Sequence, residues 1–361
     1  MDEKEILRKN FEGYSLYCAG LPHYPKNFTR DSLVCSFIFK DKDMLKEQLK
    51  FCAHKQGTKK NRKSGEEPGK IFHEYPPFRL FGYNTEYNTC DSNALFLIGH
   101  EKYYQWTKDK SLIKKQKENI RKAVNNTLLH LNSDNLFIES PKFSGGKRFL
   151  LPTTYWKDTG LIKRFFRTPK YPVVYSLAHI QNLAGIRSAA RILQDKILEK
   201  KAQEMKKALN KLWDKKRGNF YLAIDKKGKI SATDSDTLHA LYYLEKGDLT
   251  KEQLNKIIEG SKKLESFAGY RARGLEHRGM IGYWGHDYSY MVWPFEQAII
   301  HAAAKKFKIK HLQEVSKRVA KFIKSKDSYE ILSIKNNKVK GIGCKTQLWT
   351  MAAKHYFNNN L

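Results

Sequence analysis

The sequence predicts an all-α fold in which six helical hairpins close into an (α/α)6 toroid, with one small β-hairpin. Two observations support this prediction. Apolar residues recur at three- and four-residue spacing along most of the chain, and two kinds of helix alternate. Because a two-helix unit cannot bury its apolar face alone, repeated units are expected to stack and close on themselves. We therefore expect residues 1–361 to form a single barrel domain.

The predicted outer helices are amphipathic, with a lysine-rich face opposite the apolar one. This pattern is typical of helices that cover the surface of a bundle. The charged N-terminal segment, residues 2–12, is expected to supply the sixth of them. The other five predicted outer helices cover residues 42–54, 111–131, 196–214, 250–264 and 309–325.

The predicted inner helices carry more alanine, leucine and aromatic residues and much less charge. A helix that is apolar on most sides is buried. These helices cover residues 30–39, 91–106, 172–193, 234–244, 288–307 and 346–357. Strand signals are scarce, and only residues 219–230 are predicted to form a hairpin, with "DKKG" as its turn.

The net charge of +31 raises the question of a polyanionic partner. Most lysines are spread along the chain and mixed with glutamates, so we expect them on solvated helix faces. The one dense cluster, "KKNRK" at 59–63, lies in a basic Gly-rich surface loop predicted for residues 56–70. Nucleic acid is therefore the less favoured partner, although the charge does not exclude it.

The five cysteines are odd in number and dispersed, and no CxxC motif is present. This pattern favours free thiols in a reducing compartment. No apolar run approaches the roughly 18 residues of a membrane span, and the N-terminus has no apolar signal core. We expect a cytoplasmic protein with no membrane partner. The histidines are too scattered to suggest a metal site, and no cofactor is expected.

Six loops that enter the inner helices share a composition rich in Tyr, Trp, Asp, His, Arg and Gly. In a barrel these loops would meet at one mouth. Aromatic rings stack on the C–H faces of sugars, while carboxylates and amides bind sugar hydroxyls. The loops therefore predict a carbohydrate site. They cover residues 24–31, 69–91, 153–160, 230–236, 271–287 and 340–347.

Several motifs in these loops resemble one known family. "NFTRD", "GKIFHE", "YNTCDSNALFLI", "YWKDTG", "YWGHDYSYMVWPFEQAII" and "YEILSI…CKTQLWTMAA" occur in the order found in the barrel of amylo-α-1,6-glucosidases, which is related to glucoamylases. The resemblance implies a six-hairpin glycosidase barrel. It also implies an inverting, exo-acting α-glucosidase that releases glucose from α-glucan oligosaccharides or glycogen-like branches.

The resemblance places the general acid at Asp158 of "WKD" and the general base at Glu330 of "YEIL". Inverting enzymes use two carboxyl groups about 6.5–9.5 Å apart, which leaves room for the attacking water. An acid that works at neutral pH needs a raised pKa, which burial against Trp156 would supply. The alternatives are a loop-capping Asp158 and a surface Glu330.

Further side chains in these loops are predicted to bind the substrate. The alternatives are helix caps for Asp31 and Asp91, a structural role for His73 and a core position for Trp293. The predicted set is Arg30, Asp31, His73, Glu74, Asp91, Trp156, Lys157, Gln181, Trp284, His286, Asp287, Trp293 and Gln347.

Two questions stay open at this point. The helix after the "WKD" loop has none of the acidic residues common in related barrels, so a shorter oligosaccharide or a disaccharide is also a plausible substrate. The chain is alternatively a barrel that has lost catalysis and binds carbohydrate or a polyanion, or a barrel that performs another chemistry, such as epimerase or lyase chemistry.

Overall fold

The computed structural model describes residues 3–157, 161–162, 168–279, 281–282, 287–324 and 327–361. The fold is mostly helical, as predicted. The α-helices of the described residues are α1 Thr29–Phe39, α2 Lys42–His54, α3 Ser92–Thr107, α4 Ser111–Lys115, α5 Lys117–Leu129, α6 Ser176–Leu193, α7 Lys196–Leu212, α8 Asp236–Ala240, α9 Lys251–Ser261, α10 Pro294–Phe307, α11 Lys310–Ser316 and α12 Leu348–Asn360.

Six of the described helices form the interior: α1, α3, α6, α8, α10 and α12. Each packs against the next in this order, and α12 packs against α1. The approach of α3 and α6 depends on Gly185, because a Cβ atom there would lie 2.8 Å from the Cα of Ala94. The prediction of buried helices that alternate with amphipathic ones is confirmed.

The outer helices begin at well-defined caps. Asp41 accepts hydrogen bonds from the backbone of Asp43 and Met44 at the start of α2. Thr250 and Gln253 form a capping box at the start of α9. The predicted range 42–54 is confirmed for α2, whereas the predicted helix 111–131 divides into α4 and α5 at Gln116.

The prediction of an N-terminal outer helix over residues 2–12 is wrong. Residues Glu3–Leu7 form a 3-10 helix, and Arg8–Phe11 pairs antiparallel with Tyr14–Tyr17. The turn between these strands places Glu12 and Gly13 at φ values of 50° and 85°. Two consecutive residues with positive φ form the turn that matches the twist of a tight hairpin, and a helix cannot continue through them.

Strands are more frequent than predicted, and the expectation of a single small hairpin is wrong. The predicted hairpin exists as β12 paired with β13, but several other small sheets are present. The described strands are β1 Arg8–Phe11, β2 Tyr14–Tyr17, β3 Gly20–Leu21, β4 Asn27–Phe28, β5 Glu74–Tyr75, β6 Arg79–Leu80, β7 Tyr83–Asn84, β8 Leu161–Ile162, β9 Val173–Tyr175, β10 Trp213–Asp214, β11 Asn219–Phe220, β12 Ala223–Asp225, β13 Gly228–Ile230, β14 Glu265–Ser266, β15 Gly269–Tyr270, β16 Ile281–Gly282, β17 Met291–Val292, β18 Ile331–Lys335, β19 Lys338–Ile342 and β20 Thr346–Gln347.

These short strands join the loops that enter the inner helices. Strand β4, directly before α1, pairs with β5, and β20, directly before α12, pairs with β3. Likewise β9 precedes α6 and pairs with β12, while β17 precedes α10 and pairs with β18. The strands that directly precede these four helices have only two or three residues, too few to show a period in the sequence, which explains why they were not predicted.

Two further observations concern the whole described chain. The five cysteines are buried free thiols, as predicted. Among the described helices, none is both long enough and apolar enough to cross a lipid bilayer.

Candidate active site

A small cavity lies between the inner helices. Residues of α1, α6, α8, α10 and α12 line it together with the segment before residue 158. The lining residues are Arg30, Asp31, Val34, Cys35, Trp156, Gln181, His239, Tyr243, Phe295 and Trp349. Four of the predicted substrate-binding residues therefore meet here: Arg30, Asp31, Trp156 and Gln181.

A second cavity lies beside α9 and includes Arg217, Thr233 and Lys263 in its wall. No predicted site residue is among the described residues that line it. The first cavity is therefore the candidate active site.

Arg30 joins three parts of the chain at the edge of the cavity. Its Nε and Nη2 atoms donate to the two carboxylate oxygens of Asp91, at 2.7 and 3.0 Å, and Nη2 also donates to the carbonyl oxygen of Thr154 at 3.3 Å. Asp91 stands at the N-cap position of α3 but makes no side-chain capping bond. The bidentate ion pair therefore orients Arg30 and links α1, α3 and the segment 153–157.

Trp156 is held in the cavity wall by polar and aromatic contacts. Its indole Nε1 donates to Asp236 Oδ1 at 2.8 Å. Its ring meets Trp293 and Phe295 edge to face, with centroids 5.8 and 5.6 Å away. Trp293 is buried behind Trp156 and, among the described residues, is not part of the cavity lining.

Lys157 extends away from the cavity into a buried pair of carboxylates. Its ammonium contacts Asp234 and lies 2.9 Å from Asp236 Oδ1. It also donates to Ser235 Oγ at 3.2 Å and to the carbonyl oxygen of Ala272 at 3.1 Å. Burial alone would lower the pKa of Lys157, but the two carboxylates raise it, so the ammonium stays charged.

The two carboxyl groups of this pair have opposite pKa shifts. Burial raises the pKa of Asp236 to about 7, and the charge of Asp234 adds to this effect. For Asp234, Lys157 and Arg273 outweigh burial and hold its pKa below the usual value. Asp236 thus changes its protonation near neutral pH while it bonds the indole of Trp156.

His239 and Glu296 belong to the site but were not predicted. His239 lines the cavity, and its ring stacks on Tyr243 with centroids 5.8 Å apart. Its Nδ1 lies 3.7 Å from Glu296 Oε1, which accepts a hydrogen bond from Ser235 Oγ at 2.7 Å. Among the described residues, neither ring nitrogen of His239 has a hydrogen-bond partner. The imidazole is therefore available to a polar ligand in the cavity.

Glu330, the predicted general base, is half-buried just before β18. Its Oε2 accepts a hydrogen bond from the backbone nitrogen of Cys344 at 3.1 Å. Burial raises the pKa of the Cys344 thiol to about 11, and the charges of Glu330 and Asp31 contribute to the increase. Glu330 is not among the described residues that line the cavity.

His73 and Glu74 connect the loop 69–91 to the start of α1. The His73 ring contacts Phe28 edge to face at 5.4 Å. Burial, with the charges of Arg30 and Lys26, holds the pKa of His73 well below its usual value, so its ring is neutral. Glu74 accepts from Thr85 Oγ1 and lies 3.3 Å from the ammonium of Lys26.

The remaining predicted residues take different positions. Asp287 accepts backbone hydrogen bonds from Ser289 and Gly279, at 3.0 and 2.7 Å. Gln347 is buried at the N-cap position of α12. The described residues contain no cluster of His, Cys, Asp and Glu suited to a metal ion. Asp158, Trp284 and His286 lie outside the described residues.

Comparisons with known proteins inform the fold. No family model and no curated protein match the sequence. Among solved structures, the GH63 mannosylglycerate hydrolase from Thermus thermophilus in complex with Tris is 13% identical, with a TM-score of 0.69 over 99% of both chains. Its complex with glucose is 12% identical, with a TM-score of 0.68 over 95% of both chains. The rhamnosidase from Klebsiella oxytoca with rhamnose bound is 11% identical, with a TM-score of 0.61 over 95% of this chain and 60% of that one. This chain therefore shares the helical barrel fold of these glycoside hydrolases.

Proposed function

We propose that the protein is an inverting, exo-acting glycoside hydrolase whose active site is the cavity at Trp156. The observation that carries the proposal is the meeting of aromatic and hydrogen-bonding side chains in one cavity of a glycosidase-like barrel. The order of contacts among the inner helices, in which α12 returns to α1, supports a closed (α/α)6 toroid around this cavity.

The cavity lining suits a single sugar ring. Trp156 and the stacked pair of Phe295 and Trp349, with ring centroids 4.5 Å apart, offer apolar faces to the C–H groups of a sugar. Asp31 and Gln181 offer polar groups to its hydroxyls.

The proposed chemistry uses Asp158 as general acid and Glu330 as general base. Asp158 protonates the oxygen of the leaving group, while Glu330 takes a proton from the water that attacks the anomeric carbon from the opposite face. Asp158 directly follows Trp156 and Lys157, and the buried contacts of these two side chains restrain the chain next to the acid. Glu330 directly precedes β18, which pairs with β17 just before the inner helix α10, and this position supports a base at the end of the barrel where the inner helices begin.

The proposed substrate is a short α-glucoside. The glucose complex of the Thermus mannosylglycerate hydrolase supports glucose as the sugar that binds in the cavity. The complex of that enzyme with Tris and D-glycerate supports a small group beyond the scissile bond, and the rhamnose-bound structure makes a deoxy sugar the main competitor.

A substrate panel tests the proposal. Hydrolysis is measured on α-1,4, α-1,6 and α-1,1 glucosides, on α-mannosides and on α-rhamnosides. We expect turnover of at least one α-glucoside, and its loss in Asp158→Asn and Glu330→Gln. The control Glu199→Gln changes an exposed carboxylate of α7 and is expected to keep full activity.

The same panel separates the proposal from its alternative. Sugar binding without hydrolysis of any panel member would favour a barrel that has lost catalysis and binds carbohydrate. Full activity of Glu330→Gln or Asp158→Asn would show that the assigned carboxylates do not perform the reaction.

A further inference from the structure

We infer that one face of the protein docks on a membrane surface that carries anionic lipid headgroups. We call it the basic-apolar face and define it by residues 59–63, 78–83 and 142–148. It combines the one dense basic cluster of the sequence with an exposed apolar hairpin. The inference does not depend on the proposed glycosidase activity.

The apolar part of the face is the hairpin formed by β6 and β7. Phe81 is 88% exposed, and Phe78 and Leu80 are 50% and 42% exposed. Phe81 and Gly82 form the turn, with φ values of 48° and 73°. Three large apolar side chains within four residues form an exposed patch of the kind that marks an interaction site.

The basic part lies directly beside this hairpin. The backbone nitrogen of Asn84, in β7, donates to the carbonyl oxygen of Lys63 at 2.9 Å. The guanidinium of Arg148 lies 4.8 Å from the ring of Tyr83. Asn61 and Glu66 form an antiparallel bridge that closes the basic loop on itself. The basic cluster therefore borders the apolar hairpin in space as well as being close to it in sequence.

The charge of the face has one sign. Residues 59–63, 78–83 and 142–148 contain no aspartate or glutamate. Of the nearby acids, Glu66 is buried and accepts a backbone hydrogen bond from Thr58 at 3.0 Å, and the half-buried Glu86 lies 3.8 Å from the ammonium of Lys55. Its basic side chains are all exposed: Lys59, Lys60, Arg62, Lys63, Arg79, Lys142, Lys147 and Arg148. Such a cluster is attracted to an anionic surface.

The apolar hairpin favours a membrane over a nucleic acid. A protein surface binds a membrane interface when its Arg and Lys side chains lie at the level of the headgroups and its Phe and Leu side chains reach the boundary of the acyl chains. A polyanion in water would use the basic side chains but would gain nothing from Leu80. The expectation of no membrane partner followed from the lack of an apolar span, and docking requires no span. The ammonium of Lys26, just before β4 and α1, lies 5.8 Å from the ring of Phe78, so the hairpin lies near the end of the barrel where α1 begins.

Sedimentation with lipid vesicles tests the inference. The probes are vesicles of phosphatidylcholine alone and vesicles that contain about one third phosphatidylserine. We expect binding to the second kind only, with weaker binding at high salt. The variants Leu80→Ser/Phe81→Ser and Lys59→Gln/Lys60→Gln/Arg62→Gln/Lys63→Gln are each expected to weaken this binding by about tenfold or more.

Two matched controls use α7 and the turn that follows it. Ile197→Ser removes an apolar side chain that is 78% exposed on α7. Lys200→Gln/Lys207→Gln/Lys215→Gln/Lys216→Gln removes the same charge from exposed positions. Both are expected to bind vesicles like the wild type. All variants change exposed side chains, and circular dichroism verifies that they fold.

Three results would overturn the inference. The first is a wild-type protein that does not bind phosphatidylserine vesicles at low salt. The second is an equal loss of binding in the control variants, which would show an effect of net charge alone. The third combines two observations: Leu80→Ser/Phe81→Ser binds vesicles like the wild type, and a single-stranded oligonucleotide binds the wild type as tightly as the vesicles do. This result would identify the face as a polyanion site.

Discussion

Two buried clusters of this protein are built in the same way, around a lysine between two carboxylates. In the Lys157 cluster the ammonium pairs with Asp234 and Asp236. In the second, which we call the Lys70 cluster, the ammonium lies 3.0 Å from Glu67 and 3.7 Å from Glu139. Buried lysines need such partners because removing an ion from water is unfavourable.

The carboxyl groups divide in the same way in both clusters. Lys70 and His130 outweigh burial and hold the pKa of Glu67 at about 2, whereas burial raises the pKa of Glu139. Asp234 and Asp236 show the same division. Each lysine thus keeps one carboxylate ionised, while burial favours a proton on the other.

The clusters differ in what they contact. The Lys157 cluster reaches the cavity wall through the hydrogen bond from Trp156 to Asp236. The Lys70 cluster joins the loop 56–70 to α5, where His130 Nε2 lies 2.6 Å from Glu67 Oε2. The same electrostatic arrangement therefore serves the candidate site in one place and the attachment of a loop in the other.

The two clusters also hold one segment between them. Thr154 Oγ1 donates to Glu139 Oε2 at 3.4 Å, and Trp156 and Lys157 bond the acids of the other cluster. Residues 153–157 are thus restrained on both sides. The Lys157 cluster holds the C-terminal end of this segment through Trp156 and Lys157, whereas the Lys70 cluster contacts it only through Thr154.

The largest expected effect comes from removal of either lysine. Lys157→Met and Lys70→Met each leave buried carboxylates without their cation, so each should lower the free energy of unfolding by about 3–5 kcal/mol. Urea denaturation measures this loss. Lys157→Met should also reduce kcat/KM by at least about 100-fold, equivalent to about 2.7 kcal/mol, at temperatures where both variants are folded. Equal kcat/KM in the two variants would contradict the distinction between the clusters.

The second expected effect is a pH dependence of stability. The pKa of Asp236 is raised in the folded state, so its contribution to stability is complete below about pH 4 and is lost as the pH rises to about 7. The wild type loses this contribution as the pH rises, and Asp236→Asn does not. The stability of Asp236→Asn relative to the wild type should therefore increase by about 1.4 kcal/mol for each pH unit in which Asp236 is protonated in the folded state and ionised in the unfolded state. Glu139→Gln should change in the same direction. A constant difference between pH 4 and pH 7 would contradict the raised pKa of Asp236.

Glu67 should show the opposite dependence. Its pKa falls from 4.5 to about 2 on folding, so its contribution is present above pH 4.5 and is lost as the pH falls toward 2. Glu67→Gln should be about 3 kcal/mol less stable than the wild type at pH 7. Thermal unfolding between pH 2 and pH 7 should show that this difference in stability becomes smaller as the pH falls. A difference that is unchanged at pH 2 would argue against the ion pair.

The smallest expected effect comes from the indole of Trp156. Trp156→Phe removes the hydrogen bond to Asp236 and should lower the free energy of unfolding by about 1–3 kcal/mol. It should also reduce kcat/KM, because the ring lines the cavity. The control is Trp213→Phe, which changes a buried Trp that packs on Phe220 outside the cavity. If kcat/KM falls as much in the control as in Trp156→Phe, the loss does not result from the position of Trp156 in the cavity.

Local sequence patterns predicted the helices and part of the cavity. The apolar periodicity of α1 and α6 identified buried helices, and the polar residues at the start of α1, Arg30 and Asp31, line the cavity. Lys157 was noted, but its partner Asp234 lies 77 residues further along the chain. No local pattern encodes such a pairing. His239 and Glu296 were missed because they stand inside stretches that read as apolar helix.

Proton NMR of the first-formed sugar tests the central claim most directly. The wild-type protein is incubated with the α-glucoside that the panel identifies, and the anomeric signal is recorded before mutarotation. The account predicts β-glucose from the wild type and no new sugar from Asp158→Asn or Glu330→Gln. First-formed α-glucose, or release of glucose by either variant at the wild-type rate, would contradict it.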